Sequence, residues 1–128
     1  KPDYIANRLD EKTEEAMKCY QLVAGTVHSY DDGKIVIAYM GKEAMELDGE
    51  NSDYYASIPR CIKGCQIAAL FKYKGEKETR ISLRSTEHAN VGDLAAEFGG
   101  HWKASGCTIH ESFADAEPLF VKAAEKYL

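Results

Sequence analysis

Two β-favouring runs, CQIAALFKYK and ETRISLRS, flank Lys74-Gly75-Glu76-Lys77, an arrangement that predicts a β-hairpin. In the second run a period of two puts Ile81 and Leu83 on one face and Arg80, Ser82 and Arg84 on the other. One side of this strand can enter a core while the other carries two guanidinium groups. Guanidinium stays charged and presents a fork of donors that matches phosphate oxygens. Two of them on one face can grip a phosphodiester or adjacent phosphates. A solvated outer sheet face shows the same alternation, so the strand by itself leaves both readings open.

The rest of the chain supplies partners for this hairpin. TEEAMKCY predicts a short helix with Thr13 as N-cap and two acids in its first turn. QLVAGTVHSY and KIVIAYM, separated by the turn signal Asp31-Asp32-Gly33, predict another hairpin. Ser52-Asp53 can cap a short helix through SDYYASIPR. Residues 90–98 predict a helix opened by Asn90 and stopped by Gly99-Gly100, and CTIH a short strand. In the tail, Leu119, Phe120, Ala123, Ala124 and Tyr127 recur at helical spacing. Proline is tolerated only in a first turn, so Pro118 favours Asp115 over Ser112 as that helix's N-cap. The expected fold is mixed α/β: a mixed sheet of four to five strands, built from two hairpins plus a later strand and flanked by three to four helices.

The 128 residues suit one domain with one sizeable core, and 45% hydrophobic with 29% charged content is that of a globular chain. No repeat or linker divides residues 1–128. KPDYIANRLDEK has no apolar segment of a signal peptide or anchor, and no run approaches a membrane span, so a cytoplasmic location without membrane partners is expected. The four cysteines suggest reduced thiols rather than a disulfide scaffold, and Cys61 and Cys65 lack the second pair of a zinc ribbon. His28, His88 and His110 are read as ordinary histidines. A net charge of -5 argues against coating long duplex nucleic acid. Residues 72–84 nevertheless hold five basic side chains against two acidic ones. An anionic partner should therefore be small and bound locally.

GGHWKASG, residues 99–106, lies between the expected helix and strand. Bare backbone there permits close approach and can aim N–H groups at an oxyanion, while His101 and Lys103 add a donor and a charge. A helix C-cap followed by a connector would read the same way.

Taken as one string, LRSTEHANVGDLAAEFGGHWKASGCTI resembles the C-terminal DHH-associated domain, subtype one, where an Arg-Ser strand end, a short helix and a glycine-rich loop ending in His follow in this order. The similarity is strongest over residues 78–110 and compatible over most of the chain. Carried over by position, Arg84 and Ser85 match the strand-end pair, Arg80 a more variable upstream arginine, and Gly99, Gly100 and His101 the loop. The resemblance implies that these contact substrate phosphate and nucleotide, with Lys103 and Ser105 as further candidates. The family loop usually has three or four glycines before the His, whereas this sequence has two.

In that family an N-terminal domain with an Asp-His-His motif holds two manganese ions. This chain has no such motif, begins at Lys1 and is expected to be the substrate-binding domain alone, without catalytic residues, metal ligands or activity of its own. The implied partners are that DHH domain and a short oligoribonucleotide or adenosine bisphosphate (pAp), because the resemblance extends in particular to phosphoesterases that act on these, some of them exopolyphosphatase-related. Two other readings are a stand-alone nucleotide or short-RNA binding module and a relative of tRNA-editing domains.

Overall fold

The computed structural model describes residues 13–86, 90–100 and 106–128. A five-stranded mixed sheet organises them, in the order β1 (His28–Tyr30), β2 (Ile35–Met40), β3 (Ile67–Gly75), β4 (Glu78–Ser85), β5 (Gly106–Ile109). Neighbours are antiparallel except β2 and β3, which run parallel. Both expected hairpins form. Asp31, Asp32 and Gly33 take positive φ values of 54°, 62° and 83° to turn β1 into β2, a conformation that short polar side chains and glycine tolerate best. The later strand adds beside β4.

Parallel pairing requires a crossover, and α2 (Lys42–Asp48), α3 (Ser52–Tyr55) and α4 (Ser57–Arg60) form it between β2 and β3. With α1 (Glu14–Ala24) they cover one face of the sheet, where Cys19, Val23, Ala38, Met40, Tyr55 and Leu70 are buried together. The opposite face buries Ile37, Phe71, Ile81 and Leu83 under α5 (Val91–Glu97) and α6 (Phe113–Ala124). Phe71 and Phe120 meet edge to face there, with centroids 5.5 Å apart; each fully buried ring contributes roughly 2–3 kcal/mol through lost apolar surface.

Four sequence expectations change. Gln21 to Ala24 extend α1 instead of opening a strand, because Ala16, Cys19 and Val23 form one buried helical stripe. The strand begins only at His28. In the crossover, Asn51 rather than Ser52 precedes α3, and no side chain caps it. In the tail the N-cap is Ser112, whose Oγ accepts from the Asp115 amide at 3.3 Å. Starting a turn early places Phe113 against Tyr39, 5.0 Å between centroids, so packing outweighs the donor lost at Pro118, which sits inside the helix. Leu119, expected in the buried stripe, is 50% exposed, whereas Ala116, Glu117 and Val121 are buried. Thr13 and Asn90 cap α1 and α5 as expected, accepting from Ala16 N at 3.1 Å and Asp93 N at 3.0 Å.

No disulfide joins the four cysteines. Among the described residues no helix is long and apolar enough to cross a membrane.

Candidate anion-binding face

β4 follows the expected alternation except at Ser82, which lies between the two arginines on their face and is itself buried. Ile81 and Leu83 are buried under α5 and α6, while Arg80 is exposed and Arg84 half-buried. The apolar cluster under α1 to α3 draws on β2 and β3 but on no residue of β4 or β5. Beyond the edge of that helical layer, the sheet face therefore carries polar and charged groups. Arg80 pairs with Thr108 of β5 and directs Nη1 to its Oγ1 at 3.5 Å. Arg84 Nη1 donates to the Leu83 carbonyl at 2.9 Å, which leaves most of its guanidinium donors uncommitted among the described residues.

Arg80 and Arg84 share this face, yet four strand residues separate their Cα atoms by ~13 Å. A pair so spaced can meet adjacent phosphates. Ser85 ends β4 opposite Ile67 and continues the parity of Leu83, so strand alternation turns it away from Arg84. One residue further, the Thr86 amide donates to the Gln66 carbonyl at 3.1 Å. Its buried Oγ1 has no hydrogen-bond partner among the described residues, an arrangement native interiors rarely leave unexplained.

Sequence reasoning counted Lys72 in the basic stretch but did not single it out as a site residue. It pairs directly with Arg80 across the hairpin and is only 8% exposed. Burial pushes its pKa below the ordinary lysine value; the Asp53 carboxylate works against this, and Arg80, Lys74 and Arg84 add to the lowering. Lys72 thus belongs electrostatically to the arginine face.

Gly99 and Gly100 close α5. Gly99 has φ 75° and donates to the Ala96 carbonyl at 3.1 Å, and Gly100 donates to the Ala95 carbonyl at 2.8 Å. This is the paired-bond helix ending that a left-handed glycine permits. Both amides are occupied by the helix, so these glycines offer no free N–H donors, and only Gly99 has open space beside its bare Cα. A Cβ at Gly100 would overlap the Gly106 carbonyl oxygen and lie 2.8 Å from Cys107 Cβ. Glycine is thus required for α5 and β5 to meet. The other loop candidates, His101, Lys103 and Ser105, lie outside the described residues.

The opposite side of the sheet holds a polar cluster that the sequence did not reveal. Glu117, 7% exposed, accepts from the hydroxyls of Tyr30 and Tyr39 and from His28 Nε2, the last at 2.7 Å. His28 Nδ1 lies 2.7 Å from the Thr26 carbonyl. Burial raises the Glu117 pKa, but the hydrogen bonds from Tyr30, Tyr39 and His28 outweigh it and leave the carboxyl below its ordinary value. A cleft of about 520 Å³ beside it is lined by Tyr30, Tyr39, Glu117, Pro118, Lys122 and Glu125. With two carboxylates against one lysine, that cleft suits a phosphate less well than the arginine face.

Among the described residues no group of three or more His, Cys, Asp or Glu side chains is placed to hold a metal ion. These residues do not form a manganese site.

Residues 32–128 match the DHHA1 domain family. A solved exopolyphosphatase-related protein from Bacteroides fragilis shares the fold, with a TM-score of 0.78 and 28% identity over 99% of this chain. The match covers 39% of that protein, so the chain spans about two fifths of its length. No curated protein matches the chain. With the family's pattern matched across three quarters of its residues and a sheet that carries the arginine strand, this chain belongs to the DHHA1 domain family.

Proposed function

We propose that this chain is the substrate-gripping module of a DHH-family phosphoesterase that acts on short oligoribonucleotides or pAp. The observation that carries the reading is one sheet face on which Lys72 pairs with Arg80 and Arg84 follows along β4, with few hydrogen-bond partners among the described residues. Fixed cations next to a low-dielectric helical layer attract and orient an anionic substrate. The similarity to an exopolyphosphatase-related protein supports a phosphate-containing ligand. In this reading Gly99 brings bare backbone close to the substrate, Gly100 sets the loop against β5, and His101, with Lys103 and Ser105, approaches from the loop.

Hydrolysis belongs to the DHH domain, which the reading assigns as a partner and as the holder of manganese. The present chain contributes positioning and charge neutralisation. Holding a reacting group in place is itself worth several kcal/mol of barrier, so division of labour between a binding module and a metal-bearing module is energetically sound.

The reading is tested by assaying the chain with manganese, alone and joined to a DHH domain, on pAp and on dinucleotides. The expected result is no turnover by the chain alone and turnover by the joined protein. Turnover by the pure chain would overturn the reading.

A further inference from the structure

Lys72 is hard to account for as a structural residue. It lies 8% exposed in β3, and among the described residues the one hydrogen bond that its Nζ donates is a 3.5 Å contact with Ser52 Oγ, at the long limit for such a bond. Burying an ammonium is costly unless it is paired and fully hydrogen-bonded. Asp53, one residue beyond Ser52, is its opposing charge, and it works against Arg80, Lys74 and Arg84. A like charge directly across a strand pair is itself destabilising. Methionine would fill the same space beside Met40, the residue paired with Lys72 on β2, without either cost.

A bound anion reverses these terms, since a phosphate between Lys72 and Arg80 turns a repulsive pair into a two-cation clamp. Arg84 stands ~13 Å along β4 from Arg80 between Cα atoms, a place from which it can meet a second phosphate. We propose that Lys72 is a further substrate-binding residue, which with Arg80 clamps one phosphate of a ligand bearing two while Arg84 takes the other. This rests on the proposed function and adds to it a third cation and an assignment of phosphates to cations.

The test is steady-state kinetics on pAp with the enzyme that joins this chain to a DHH domain, comparing the parent with Lys72→Met, Lys72→Arg and Arg84→Ala. Lys72→Met is expected to raise KM at least tenfold without lowering Tm, and Lys72→Arg to restore KM to within threefold of the parent. In the parent, KM should rise as pH climbs through a value below the ordinary lysine range, and this limb should vanish in Lys72→Arg. The groups that face the ammonium in that titration are Asp53 of α3, Arg80 and Arg84 of β4, and Lys74 of its own strand.

The proposal is overturned if Lys72→Met keeps kcat/KM within twofold of the parent while Arg84→Ala is impaired. It is also overturned if both Lys72 variants lose Tm and activity together, the signature of a structural lysine. If Arg84→Ala is silent as well, the proposed site itself fails.

Discussion

Lys72 and Arg80 face each other across the β3–β4 ladder, two cations paired on the same side of the sheet. Such a pair works against folding, by ~0.2–1 kcal/mol for exposed cross-strand neighbours. Arg80→Gln is therefore expected to leave the unfolding free energy unchanged or raise it by about that amount while it weakens substrate binding. Urea denaturation of the variant checks the first half. A loss of more than ~1 kcal/mol would mean that Arg80 serves the fold.

Gly100→Ala should be severe and Gly99→Ala milder. At Gly100 the obstructing atoms are the Gly106 carbonyl oxygen and Cys107 Cβ on β5 and the Ala95 carbonyl on α5, the last 2.9 Å from an added Cβ. Neither element yields easily, so a loss of about 2 kcal/mol or more is expected. At Gly99, with open space around it but φ at 75°, the cost is ~1 kcal/mol. Chemical denaturation of both variants should reproduce that order.

Glu117 ties α6 to β1 and β2 through three donors. Glu117→Leu strands the Tyr30 and Tyr39 hydroxyls and His28 Nε2, with an expected loss on the order of 2–4 kcal/mol. The folded pKa is depressed, so this carboxylate's contribution is fully present above the unfolded value of ~4.3 and is lost as pH falls through the lower folded value. Glu117→Gln should flatten that acid limb of a stability–pH profile, because the amide does not titrate. An unchanged acid limb would count against the assignment.

Cys107 lies buried against Gly100, and burial raises its thiol pKa to about 11, with the nearby Arg80 charge only partly opposing this. Thiolate is the reactive form. Native protein at neutral pH is expected to expose only Cys61 to a thiol reagent, with Cys19, Cys65 and Cys107 reacting on unfolding. Counting the thiols modified before and after denaturation checks it.

What the sequence made legible is local and periodic. Both hairpins, the Asn90 cap and the separation of Arg80 and Arg84 from Ile81 and Leu83 follow from turn chemistry and a two-residue period, and each recurs in the structure. Lys72 escaped because it ends a nearly continuous apolar run, where only strand pairing reveals that it opposes Arg80. Glu117 escaped for a related reason. Its partners lie 78 to 89 residues away in sequence, and nothing within the helix distinguishes it from a solvated acid. The end of α1 was misread because QLVAG is equally compatible with a strand until Val23 is seen packed with Cys19.

The claim on which the account stands is that the cationic half-face of β3 and β4 holds the substrate. Its most direct measurement is kcat/KM for pAp of Arg84→Ala against the parent in the enzyme with its DHH domain. The expected result is a fall of about a hundredfold, roughly 2.7 kcal/mol of lost transition-state stabilisation, with Tm unchanged. A value within twofold of the parent would contradict it.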